Sequence, residues 1–179
     1  MSKCPDARKC ETLFAPSLIK LSPIINFTVS FIAYETQPNQ IECMHGPDEC
    51  AGNKQQLCVQ SMCSQTTLLK FLQCQSRQLG NIPNNGEQRV KEASDGSLKW
   101  SDVDACVKSD KANELFRKSL QITRSHSAKK SCTMKLNGEL WCMHDGGWYG
   151  CSEGTDEKSL IRAICKRYNG ANKPAECAA

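Results

Sequence analysis

The sequence predicts a mixed α/β domain, rich in disulfides and interrupted by a helical insertion. Three observations predict it. Helix and strand signals alternate over residues 5–34 and return over residues 132–168, while the stretch from Cys43 to Ser125 reads as helical and polar. Thirteen cysteines are scattered through the 179 residues. Only 39% of the chain is hydrophobic and 6% aromatic, so the core is modest for this length and crosslinks would supplement it.

The elements follow in order. Pro5 to Leu21 reads as a helix, with Pro5-Asp6 suited to a first turn and Leu13, Phe14, Ile19 and Leu21 able to gather on one side. Pro16 falls inside it and should kink or split it. Ile24–Tyr34 is the best strand, since Phe27, Val29 and Phe31 alternate with small polar residues. Short helices are expected at Glu49–Gln60, Thr66–Gln78, Ser101–Ser109 and Ala112–Thr123. Leu79–Lys99 carries turn chemistry and few apolar residues. Strand character returns at Cys132–Leu136. Asn137-Gly138 then gives a two-residue hairpin turn into Glu139–His144. Thr155 or Asp156 can cap a last helix running to Tyr168, with Leu160, Ile161, Ile164 and Tyr168 as its buried stripe.

With the helical block set aside, the remaining order is α-β-β-β-α. That is the thioredoxin order lacking its first strand. The expected organisation is a thioredoxin-like first part at 1–42, a cysteine-rich helical insertion at 43–125, and a second thioredoxin-like part at 126–179 holding the hairpin and last helix.

The net charge of +4 is dispersed, and no basic block is interleaved with aromatics, which argues against a nucleic-acid surface. No apolar run is long enough for a membrane span. The cysteine density fits an oxidising compartment, placing the chain on the secretory route or outside the cell. The start, Met1-Ser2-Lys3-Cys4, has no signal-peptide pattern. An odd number of cysteines leaves at least one thiol unpaired within the chain.

The most specific pattern is Cys43-Met44-His45-Gly46-Pro47-Asp48-Glu49-Cys50, continuing through Asn53 to Cys58. Three cysteines and His45 could bind zinc. The spacing is that of consecutive helix turns rather than a compact knuckle, so disulfides account for it more economically and no metal or other cofactor is expected. His45 and Glu49 would then cap the helix that starts near Pro47. Cys142 and Cys151 flank a glycine-rich aromatic loop that a bridge would rigidify. Cys165 and Cys177 could tie down the C-terminal tail, and Cys74 and Cys106 could join helices of the insertion. Cys63 completes the structural set, whose connectivity the sequence leaves open. Asn26-Phe27-Thr28 is a sequon, which makes Asn26 a glycosylation candidate.

The run Cys-x-His-Gly-x-x-Glu-Cys-x-x-Asn-x-x-x-x-Cys at Cys43–Cys58 resembles the signature of the gamma-interferon-inducible lysosomal thiol reductase family, with Met44 where that signature usually has Gln. Cys4-Pro5-Asp6-Ala7 is similar to the family's active-site segment, and Phe71-Leu72-Gln73-Cys74 to its internal Phe-x-x-Cys element. The ending from Ile164 through Cys165 and Pro174 to Cys177 is similar to the family's C-terminus, and over nearly the whole chain the likeness is to a fungal-type member, which implies a lysosomal or vacuolar setting. The resemblance implies a thioredoxin-like fold and thiol-disulfide exchange on disulfide-containing protein substrates, with a small thiol as a possible reductant.

One departure bears on mechanism. Family reductases carry Cys-x-x-Cys, but here the fourth position is Ala7 and the next cysteine is Cys10. Six residues of helix rise about 9 Å and turn about 240°, too far for Cys4 and Cys10 to bridge. Thioredoxin folds place a cis-proline before the hairpin strand, and that position falls on or beside Cys132. The expectation is therefore that Cys4, at a helix start where unpaired amides favour a thiolate, attacks a substrate disulfide. Cys132 would face it as resolving thiol, with Cys10 as the lesser alternative. His144-Asp145 offers only a weak base-and-orienter reading. The competing expectation is a non-catalytic, disulfide-rich secreted or vacuolar binding module on the same fold.

Overall fold

The computed structural model describes residues 1–37 and 40–178. Helix α1, Pro5–Lys20, starts with proline in its first turn and runs unsplit through Pro16. Strands β1 (Tyr34–Gln37) and β2 (Gln40–Glu42) form a small antiparallel ribbon. Five helices follow: α2 Pro47–Met62, α3 Gln65–Ser76, α4 Gly86–Ser94, α5 Trp100–Val107 and α6 Asp110–Ser125. A three-stranded antiparallel sheet, β3 Thr133–Leu136, β4 Glu139–His144 and β5 Trp148–Tyr149, precedes helix α7, Glu157–Arg167. Asn137 and Gly138 both have positive φ, 51° and 85°, as a two-residue hairpin turn requires. Asp156 caps α7 by accepting from the Ser159 amide at 2.7 Å. The observed class is mixed α/β with small sheets and five disulfides.

The main departure from expectation is the segment Ile24–Tyr34. It is extended, but residues 25–33 join no sheet. Its backbone is bonded instead by side chains of the helical block. The Phe27 amide donates to Gln65 Oε1 at 2.8 Å, the Val29 amide to Gln60 Oε1 at 2.7 Å, and the Phe31 amide to Ser119 Oγ at 2.8 Å. Gln65 Nε2 donates to the Ile25 carbonyl, Gln60 Nε2 to that of Val29, and Thr123 Oγ1 to that of Phe31. Bonding at every second amide is what extended chain allows, since successive residues there direct their amides to opposite sides. The second departure is α4, which forms where turns were expected. Val90 and Ala93 are buried, and Arg89 is held by Glu92 and Gln78. Two apolar positions are too weak a periodic signal to read; packing against α3 decides this helix.

Three cores result. Around α1, the buried Phe14, Leu18 and Leu21 meet Leu69 of α3, Trp141 of β4, and Leu160 and Ile164 of α7. Phe14 contacts Trp141 edge-on, ring centroids 5.3 Å apart. The helical block buries Val59, Leu68, Phe71, Leu72, Val90 and Val103 around its own disulfide. Phe31, Leu57, Phe116 and Leu120 seal the extended segment to the block. Because α1 packs along α3, the inserted helices share the first core rather than hanging from it. No helix among the described residues is long and apolar enough to cross a membrane.

Candidate functional site

The site is built on the start of α1 and on the elements that approach it. Cys4 is the N-cap of α1, without a side-chain cap bond, and its carbonyl accepts from the Arg8 amide. It is only 6% exposed and packs with Met1, Ala7 and Ile32. Its sulfur is a free thiol. Cys10 lies on the face of α1 turned toward the hairpin and is bonded to Cys132, with Cα atoms 6.5 Å apart. The expected Cys4–Cys132 pairing is thus corrected: Cys132 stands opposite Cys10. On a helix Cys4 and Cys10 are about 9 Å apart along the axis and point in different directions, so one facing cysteine cannot serve both. The Ser131–Cys132 peptide is cis.

The remaining bridges are Cys43–Cys50, Cys58–Cys106, Cys142–Cys151 and Cys165–Cys177. The last two are the pairs the sequence suggested. The expected Cys74–Cys106 bridge is corrected to Cys58–Cys106, because α2 brings Cys58 against α5 within the second core. Cys63 and Cys74, expected among the structural set, both carry free thiols. Cys63 caps the end of α2 while Cys74 lies at the ninth step of α3, roughly 14 Å from that helix's start, so the two cannot meet. Burial pushes the Cys63 thiol up to about 11 and raises that of Cys74. Both therefore stay protonated at neutral pH. With Cys43, Cys50 and Cys58 in bridges, a zinc set of these cysteines and His45 has no thiolates to offer.

The signature segment has a different task, which residue types alone did not reveal. Glu49, 0% exposed, and Asn53, one turn later on α2, hold the residues just before Cys4. The Ser2 amide donates to Asn53 Oδ1 at 2.8 Å, the Ser2 hydroxyl to the Glu49 carbonyl at 3.0 Å, and the Lys3 amide to Glu49 Oε1 at 3.3 Å. The same carboxylate accepts from the His45 amide and meets His45 Nδ1 at 2.8 Å. Between these two residues, a Cβ on Gly52 would run into Ile82 and Ser2, so the close approach requires glycine. The signal was present in the i, i+4 spacing of Glu49 and Asn53, which puts both on one helix face.

His144 was read with its neighbour Asp145, but it pairs with Asp6 from α1: Nδ1 to Oδ1 is 2.6 Å. Asp145 pairs with Lys130 instead, at 2.7 Å, which raises the Lys130 pKa through that hydrogen bond. Asp6 also accepts from the Gly146 amide at 2.9 Å. A residue in the first turn of one helix and a strand end 138 positions later give no sequence signal for their meeting. Glu11, next to Cys10 on the cleft wall, has its carboxyl raised to about 7 by burial, with the Met1 amino group and Ser76 opposing the shift. Asn26 and Thr28 of the sequon are both exposed.

A cleft of about 480 Å³ opens beside this constellation. One wall is the extended segment from Ile25 to Ser30 and Ile32; the other runs from Lys130 through Cys132 and β3 to Gly138. Its apolar lining includes Phe14, Leu18, Leu69 and Ile164.

Comparison with known proteins agrees with the signature. Residues 1–109 match the family described as gamma interferon inducible lysosomal thiol reductase (GILT). That range holds Cys4, Cys10 and the Cys43–Cys58 segment, and leaves Cys132 and His144 outside. GILT-like protein 1 of Drosophila melanogaster is 27% identical over 140 residues, 68% of this chain and 56% of that protein. The chain therefore spans little more than half the length of that curated relative. With the family match covering most of the chain, the protein belongs to the gamma interferon inducible lysosomal thiol reductase family.

Proposed function

We propose that the protein carries out thiol-disulfide exchange on protein substrates through the Cys10–Cys132 pair, on a thioredoxin-like scaffold in an oxidising compartment. The observation that carries this reading is the unequal exposure of the pair. Cys132 is half-buried on the cleft wall, while Cys10 is 6% exposed. A thiolate or disulfide arriving from solvent therefore meets Cys132 first. Cys4, sealed by Met1, Ala7 and Ile32, is the weaker candidate for the first attack.

In the reducing direction the Cys132 thiolate attacks one sulfur of a substrate disulfide. A mixed disulfide forms on Cys132, and the other substrate sulfur leaves as a thiolate and takes up a proton. The Cys10 thiolate then attacks Cys132 Sγ, releasing the second substrate thiol and closing the Cys10–Cys132 bridge. Two electrons have passed to the substrate, and two equivalents of a small external thiol return them to the pair, leaving as their own disulfide. Cys10 thus does the work that the missing fourth-position cysteine, here Ala7, would otherwise do.

The scaffold reading rests on the cleft. The extended segment has one backbone edge engaged by helices and the other turned away from them, while β3 pairs with β4 along one side only. A strand lying in the apolar-floored gap would pair with both open edges, and a thioredoxin-like order calls for a strand there. Five disulfides within one chain support an oxidising compartment.

The test is stepwise reduction of the native protein with thiol labelling and peptide mapping, beside turnover of a dye-labelled protein disulfide. Cys10 and Cys132 should be labelled before the other bridged cysteines. Cys132→Ser should abolish turnover, and Cys10→Ser should trap substrate on Cys132. Turnover that survives Cys132→Ser overturns the reading. A bridge that opens without any turnover favours the binding module.

A further inference from the structure

Helix α1 and the hairpin meet through two adjacent rungs. Asp6 and Cys10 are four residues apart on α1 and so share one helix face. On the hairpin, Thr133 stands opposite Met143, which puts Cys132 opposite His144. The His144 amide donates to the Cys132 carbonyl at 2.9 Å. Directly opposed residues of an antiparallel pair project to the same side, with Cβ atoms about 5 Å apart. One rung is the Cys10–Cys132 disulfide; the other is the Asp6–His144 contact at 2.6 Å.

We infer that His144, oriented by Asp6, is the residue that moves the proton during exchange at Cys132. The inference rests on the assignment of exchange to the Cys10–Cys132 pair. Exchange needs a thiolate to attack and a proton for the sulfur that leaves. In the neutral ring, Nδ1–H donates to the Asp6 carboxylate, which leaves Nε2 as an acceptor. Asp6 is fixed in turn by the Gly146 amide, and the His144 ring is held edge-on against Trp148, centroids 4.6 Å apart. The side chain remains 15% exposed, enough for a proton to pass between the ring and a substrate docked at Cys132.

The charged and titratable groups around the ring are few. Asp6 faces it from α1, and Tyr149 lies on β5. Lys130 and Asp145 neutralise each other in the flanking loops. Among the described residues, Asp6 is the charged group bonded to the ring. In the forward step the Cys132 thiol gives its proton to Nε2, and its sulfur attacks the substrate disulfide. The departing substrate sulfur then takes the proton from Nε2, so the ring ends as it began. Asp6 acts through His144 and is a positioning residue.

The experiment measures single-turnover reduction of a dye-labelled protein disulfide by the reduced protein across pH, with the melting temperature of each variant as a folding control. His144→Gln should slow the reaction by roughly 10²-fold on the acid side and remove one ionisation from the pH–rate profile. The rates of variant and parent should converge at alkaline pH, where solvent deprotonates the thiol. Asp6→Asn should shift the profile in the same sense with a smaller loss, and added imidazole should restore part of the rate to His144→Gly. A uniform slowing of His144→Gln and Asp6→Asn at every pH, with profiles of unchanged shape and no imidazole rescue of His144→Gly, overturns the inference. Exchange that ignores Cys132→Ser overturns the underlying reading instead, so the two failures are distinguishable.

Discussion

Cys58–Cys106 and Cys10–Cys132 each tie a helix to a second element, yet their surroundings differ. In the helical block Cys58 and Cys106 are 0% and 5% exposed, enclosed by Val59, Phe71, Val90 and Val103. The side chains around this bridge are apolar, with the Cys63 thiol packed against them. At the junction of α1 with the hairpin, Cys132 lies half-open on a cleft, with Glu11, Asp6 and His144 on the same elements. On the function proposed above, the same covalent bond is a brace in one setting and the exchanging group in the other. Reactivity of a disulfide depends on access and on the fate of the leaving thiolate. The block denies access to its bridge, and its two half-buried free thiols, Cys63 and Cys74, stay protonated because burial raises their pKa.

The largest effect that would sharpen this contrast comes from the double substitution Cys58→Ala with Cys106→Ala. Releasing a crosslink of 48-residue separation should destabilise the fold by about 4 kcal/mol on the chain-entropy estimate. Exchange per folded molecule should persist. Urea unfolding beside a turnover assay checks it, and lost turnover in the folded fraction would erase the distinction between the two bridges.

A smaller effect is expected in the polar part of the block. Gln56 Nε2 donates to Gln75 Oε1 and Gln75 Nε2 to Gln55 Oε1, all three residues being buried. Gln75→Ala strands two of these groups and should cost about 1–3 kcal/mol, against less than about 0.5 kcal/mol for the exposed Gln88→Ala. Equilibrium denaturation of both variants gives the difference.

The last is a change of slope. Between the ordinary carboxylate range and about 7, Glu11 is protonated in the folded protein and ionised in the unfolded one. Stability should therefore fall as pH rises through that window. Glu11→Gln should flatten the dependence, raising the melting temperature more at pH 8 than at pH 5. An unchanged slope would mean the carboxyl is solvated after all.

What the sequence made legible follows from the range of each signal. Asn137-Gly138 located the hairpin because positive φ at two residues is a local demand. Thr155 or Asp156 located the start of α7, and Asp156 is the cap, because a cap acts within one turn. Helices α2, α3, α5 and α6 ended within two or three residues of their expected bounds for similar reasons. The alternation at Phe27, Val29 and Phe31 predicted a strand that does not form, because no periodicity says whether a strand or a glutamine will take its amides. The Asp6–His144 contact and the choice of Cys10 over Cys4 for Cys132 depend on how α1 rotates against the hairpin. That rotation is set by Phe14 packing on Trp141 and Trp148, a property of the assembled core.

The three side chains that hold Phe27, Val29 and Phe31 carry a further consequence. They read that segment only through its main chain, at every second amide, from the end of α2, the start of α3 and the middle of α6. The segment's own side chains are then free to vary on the solvent side without loosening its grip. Gln60, Gln65 and Ser119 are not. Losing or gaining one residue in the segment would offer each of them an amide pointing the wrong way. The helical block thus acts as a ruler laid along the chain, fixing its length more strictly than its composition.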